Sequence, residues 1–298
     1  MPSTASSLRS WPTPGWRSVA SRAPTIASTR SSDIWSGDRT GLAEAVRKIW
    51  VVTGLTLRYL LGTRRIIAMA LLSSVPLILA VGLAAARVAS FDVLQLFQAV
   101  MVPLFLQVVL IFVTLVNATS LIREEIDDNT LPFLLTRPIS KPAIATYKYF
   151  GYLAAVLILL VPPLVVAYGV TEAYGGFSFT TDLNVLGGFL LVTILGSAAY
   201  GGLFLFISVL VRKPLAVGLF FGFVWESIAG LISGDVPKLS VIHYLRTILK
   251  GTITVSPLAG YRTDLSVATA VGILIAFSIA MVILTIAVFQ QMEFRQKA

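Results

Sequence analysis

The sequence predicts an all-helical integral membrane protein with six membrane-spanning helices. Three observations carry this. Of the 298 residues, 56% are hydrophobic and only 12% charged, whereas a globular domain carries roughly 25% charged residues. Six apolar segments approach the roughly 20 residues that a hydrocarbon core of about 30 Å demands of a helix. Lysine and arginine then alternate between the connecting segments as membrane orientation requires.

Residues 1–40 are rich in Ser, Arg, Pro and Thr and hold no acid before Asp33, so they cannot bury enough apolar area to order themselves. A disordered tail is expected. The Arg- and Ser-rich, acid-poor composition also suits an organellar transit peptide. A cleaved secretory signal is not expected, because no short apolar stretch with a small-residue cleavage site occurs there.

Residues 41–65 take on helical periodicity. Leu42, Val46, Ile49, Thr53, Leu57 and Leu60 or Leu61 form an apolar stripe at spacings of three and four. Arg47, Arg58 and Arg65 fall near a second line. The pattern predicts an amphipathic helix in the membrane surface, its apolar side in the acyl boundary and its arginines facing lipid phosphates or a protein partner.

Residues 66–298 form the six-span domain, with spans expected near Ile66–Ala86, Leu96–Thr119, Phe150–Val170, Val185–Val211, Leu215–Ile232 and Ser266–Phe289. Pro76, Pro103 and Pro162-Pro163 lie inside spans, where membrane helices tolerate kinks that soluble helices do not. With the N-terminus inside, inward segments hold eighteen Lys and Arg residues and outward segments five: Arg87, Lys238, Arg246, Lys250 and Arg262. Both termini are therefore expected in the cytoplasm. The net charge of +9 follows from this orientation, since no basic surface interleaved with aromatics suggests nucleic acid. The chain has no cysteine and one histidine, His243, which excludes disulfide frameworks, thiolate metal sites and HExxH sites. No metal ligands are expected.

The segment 121–149 is the most informative. Glu124, Glu125, Asp127 and Asp128 stand beside Arg123, Arg137 and Lys141, with an apolar run from Leu131 to Leu135. Asn129 or Thr130 can cap a short helix whose first turn accepts Pro132, and Arg137-Pro138 ends it. Ser140 then caps the following helix. One short amphipathic helix is thus expected at the cytoplasmic face between two spans. This stretch resembles the loop of ABC-2 type exporter permeases, in particular the six-span subunits related to the nitrous-oxide reductase maturation permease. Glu125, Thr130, Leu131, Leu134, Leu135, Pro138, Ile139 and Ser140 match that family's pattern. Asn129 stands where the family has glycine and Lys141 where it has arginine.

The resemblance implies a coupling helix seated in a groove of a separate ATP-hydrolysing subunit, with Glu124, Glu125, Thr130, Leu131, Leu134, Leu135 and Pro138 as coupling residues and Arg47 and Arg58 as surface-helix contacts. It also implies a homodimer or pseudo-dimer of permeases in the cell membrane, exporting an unidentified substrate by alternating access. No Gly-x-x-x-x-Gly-Lys-Ser/Thr occurs, so this chain lacks a phosphate cradle. It is not expected to be an enzyme or to hold a cofactor; ATP and Mg belong to the partner.

Residues 233–264 form the longest outward segment, within which Leu239–Lys250 is amphipathic. Val241, Ile242, Leu245, Ile248 and Leu249 share one side, with His243, Arg246 and Lys250 on the other. The resemblance implies short helices dipping back into the outer leaflet, and His243 reads as a polar residue on the wet face. Glu226 is the acid well inside a predicted span, where charge is costly; it is a candidate pathway or gating residue, or a hydrogen-bonded structural one. Gln107 and Asn117 read as interhelical hydrogen bonders. Gly187-Gly188, Gly196, Gly201-Gly202, Gly218 and Gly222 permit close helix approach. An ion-coupled transporter is the alternative, though it would show more intramembrane ionisable groups. A membrane-embedded enzyme is a weaker one, because the spans carry no acid-base constellation.

Overall fold

The computed structural model describes residues 53–60, 62, 65–85, 93–127, 141–175, 183–230, 232, 235–252, 263 and 265–291. All of them belong to one unit, Arg47–Ala298. The tail 1–40, Arg47, and the loop residues Thr130, Leu131, Leu134, Leu135 and Pro138 lie outside the described residues. Glu124 and Glu125 fall on the helical backbone of Ile111–Asp127, and their side chains are outside the description.

Among the described residues the structure is helical, with no strand. Five stretches are long and apolar enough to cross a membrane: Arg65–Leu83, Gln98–Leu121, Pro142–Ala173, Leu183–Leu210 and Val267–Gln291. The fifth expected span appears as a shorter apolar helix, Pro214–Ala229. Its length is ~24 Å at 1.5 Å per residue, short of the ~30 Å hydrocarbon core. The difference has a local cause: the helix ends at Gly230, and a separate helix, Val241–Thr252, follows a single-turn 3-10 segment, Val236–Leu239.

The fourth span, Leu183–Leu210, is the hub of the bundle. It packs against the second, third and sixth spans and against the 241–252 helix, and its hydropathic character is nearly uniform around the axis. A helix apolar on all sides is one buried on all sides. Glycine lets its neighbours approach. A Cβ at Gly201 would overlap the Tyr152 ring, lying 2.6 Å from the hydroxyl oxygen and 2.7 Å from Cζ. Tyr152, fully buried, donates its hydroxyl to the Ser197 carbonyl at 3.1 Å, and Tyr149 donates to the Ala198 carbonyl at 2.9 Å. Gly196, Gly202, Gly218 and Gly222 also sit at tight contacts, whereas Gly187 has nothing within 4 Å.

Arg58, Arg65, Lys148, Arg212 and Lys213 fall at one end of the bundle, here called the basic end. Residues 53–60 form a helix there. Thr53 donates to the Tyr147 carbonyl at 3.4 Å, Gly151 leaves room for Thr56, and Leu60 is buried. The described part of the stripe therefore packs inward, with Thr53 against the third span and Leu60 beside Met69 and Val116. Arg58 is on the exposed side of the same helix. Lys148, also buried, reaches the Leu121 carbonyl at 3.5 Å.

Candidate functional site

Two spans depart from α-helical geometry at corresponding places. The second span is π-helical over Phe105–Leu110, between Val93–Leu104 and Ile111–Asp127. The fifth is π-helical over Phe220–Trp225, between Pro214–Leu219 and Glu226–Ala229. The two π segments touch. Each adds a residue to a turn, which re-aims side chains, and such bulges recur at functional sites. Here they bring polar side chains together. Gln107 donates from Nε2 to Ser227 Oγ at 2.7 Å, and Arg246 donates from Nη2 to Gln107 Oε1 at 3.4 Å.

Arg246 comes from the 241–252 helix, which lies deeper than a surface helix. Leu245 of that helix and Leu110 of the second span both press on Gly196, at the middle of the fourth span; a Cβ there would lie 2.6 Å from Leu110 Cδ2 and 3.2 Å from Leu245 Cδ1. At its other end Gly251 meets Val267, where the sixth span begins. The 241–252 helix therefore starts near mid-depth and runs back out beside the fourth and sixth spans, continuing the crossing that Pro214–Ala229 leaves incomplete.

A helix beginning at mid-depth exposes unbonded N–H groups to an apolar medium. Glu226 meets them. Its carboxylate accepts from the backbone N–H of Val241 at 3.2 Å and of Ile242 at 3.3 Å, and from the Ser240 hydroxyl. Glu226 is only 2% exposed, so the acid is compensated by a helix N-terminus, where negative charge is favoured. Tyr200 is close enough to interact with it electrostatically, but the hydroxyl makes no hydrogen bond of acceptable geometry.

The predicted apolar side of the helix is buried: Val241, Ile242, Leu245, Ile248 and Leu249 all belong to the core. The opposite side differs from expectation. His243 is 8% exposed and lies edge-on to Tyr244, centroids 5.4 Å apart; it is not on a wet face, because neighbouring spans enclose this helix. Gln107 bonds between helices as expected. Asn117 instead donates within its own helix, to the Val113 carbonyl at 2.8 Å. Sequence reasoning missed Ser227, Ser240 and the placement of Arg246. It also missed Glu172, 5% exposed, because the third helix extends to Gly175, beyond the predicted span. No group of three or more metal-ligating side chains occurs among the described residues.

Residues 63–228, more than half of the chain, match the family model described as ABC-2 family transporter protein. The chain belongs to that family. It is thus a multi-pass permease subunit of an ABC-type exporter, a transport component of a kind that normally works with a cytoplasmic ABC ATPase. No curated protein is matched by the chain. The 241–252 helix lies beyond the matched region of the permease, so its contribution rests on the geometry alone.

Proposed function

We propose that two copies of the permease form the membrane half of an exporter in the cell membrane, and that the face carrying Gln107, Ser227 and Arg246 lines the substrate path between them. The observation behind this is the polar bridge itself. It sits at mid-depth, Ser227 is exposed, and Gln107 and Arg246 are half-buried. Lipid tails offer such groups no partner, so a second protein surface or water covers them. Glu226, adjacent in sequence, has both oxygens occupied; we assign it the positioning of the 241–252 helix, through which it would act on the pathway.

In this reading the basic end is cytoplasmic, as are both termini, and a separate ATPase drives alternating access through the loop between the second and third spans. The subunit would resemble the nitrous-oxide reductase maturation permease in that arrangement. Truncating Leu134 and Leu135 together to alanine should weaken co-purification of the ATPase or uncouple its hydrolysis, since a buried leucine at the centre of an interface typically contributes about 2 kcal/mol or more.

The absence of cysteine makes the pathway reading directly testable. Ser227→Cys should react with a membrane-impermeant thiol reagent in reconstituted permease and cross-link to the same residue of the second copy. Ile279→Cys, on the exposed side of the sixth span, should do neither. Equal protection of both positions would refute the assignment of this face.

A further inference from the structure

We infer that Arg246 is the recognition group for an anionic head on the transported molecule, so that the substrate class is an amphiphile carrying phosphate, sulfate or carboxylate. The inference rests on the reading of the Gln107–Ser227–Arg246 face as the pathway and adds the chemistry that the pathway selects.

A guanidinium carries five N–H donors and keeps its charge in every protein setting. In this structure Arg246 uses one of them, in the 3.4 Å bond to Gln107. It forms no ion pair among the described residues; the exposed Lys238–Asp235 contact is the ion pair found there. The buried acid at the same level, Glu226, is hydrogen-bonded to Ser240, Val241 and Ile242 rather than to the guanidinium. A half-buried cation at mid-depth is therefore held in place with most of its donors unspent.

The surroundings favour anion capture over a structural role. Gln107 accepts from Arg246 at Oε1 and donates to Ser227 from Nε2, which fixes the amide and directs the guanidinium along the face. The end of the fifth span flanks the guanidinium on one side, since a Cβ at Gly230 would lie in ordinary contact with Nη1, at 3.8 Å. Around this polar spot the fifth span shows exposed Phe220, Val224 and Ile228, an apolar surface for a hydrocarbon tail. Planar, bidentate recognition of phosphate or carboxylate is what arginine provides and lysine does not.

The test uses full-length permease in phosphatidylcholine nanodiscs, with dodecyl phosphate, dodecyltrimethylammonium and inorganic phosphate as probes. Dodecyl phosphate should bind at least about tenfold tighter than the cationic analogue, and Arg246→Gln should remove that preference by weakening the anion without weakening the cation. Arg246→Lys should retain part of it. Inorganic phosphate binding as tightly as dodecyl phosphate would overturn the amphiphile assignment. Replacing phosphatidylcholine by phosphatidylglycerol separates the two sources of an anionic head: competition identifies the bilayer's own lipid as a ligand, and its absence points to a soluble amphiphile. An unchanged preference in folded Arg246→Gln overturns the proposal, as does loss of the dimer with anion binding intact, which would assign the guanidinium to the contact between copies. Ser227→Cys labelling on the same preparations distinguishes the failures. A reactive Ser227→Cys with an indifferent Arg246→Gln leaves the pathway standing and removes only the anion.

Discussion

Replacing Glu226 by alanine should loosen the 241–252 helix from its first turn. Three donors lose their acceptor: the N–H groups of Val241 and Ile242 and the Ser240 hydroxyl. Side-chain bonds between membrane helices average ~0.6 kcal/mol, which gives about 2 kcal/mol for three. Two buried N–H groups left without partners cost about 1–3 kcal/mol each, and the desolvation relieved by removing a buried carboxylate offsets part of that. A net loss of about 3 kcal/mol corresponds to roughly a hundredfold faster local opening. Amide hydrogen exchange in nanodiscs reads this directly at residues 241–245, with the fourth span as an internal control. Ser240→Ala removes one donor and leaves both N–H bonds, so it should cost less than about 1 kcal/mol. Exchange at 241–245 within about threefold of the unmodified protein in Glu226→Ala would show that the carboxylate does not hold the helix.

Gly201→Ala should displace Tyr152 and its bond to Ser197, an overpacking that typically costs about 1–3 kcal/mol; denaturant unfolding in mixed micelles measures it, and an unshifted midpoint would refute the close approach. Asp235→Asn should leave the unfolding midpoint where it is, because exposed ion pairs contribute little.

The spans were readable because a bilayer sets a length and a polarity together. The fourth was expected at Val185–Val211 and is found at Leu183–Leu210. The fifth was harder, since apolar composition runs from Leu215 to Ile232 while the helix stops at Ala229, and hydropathy does not record where a chain turns inside the membrane. Periodicity correctly grouped Val241, Ile242, Leu245, Ile248 and Leu249 on one side. It identifies residues that share a face but not what the opposite face meets, so His243 and Arg246 read as solvated when neighbouring helices surround one and Gln107 binds the other. The π segments leave no mark in composition: Pro103 precedes one, and the other has no proline. Their effect, the meeting of Gln107 with Ser227, comes from a register shift that only tertiary packing selects.

The divided fifth crossing also bears on biosynthesis. A segment too short to span, followed by a helix whose first N–H groups have no acceptor until Glu226 is beside them, is poorly suited to leave the insertion machinery alone. The fourth span, already apolar on every side, can partition into lipid first and offer Gly196 as a landing place for Leu245. Residues 214–252 would then enter as one unit, against a preformed wall, with the sixth span closing behind them.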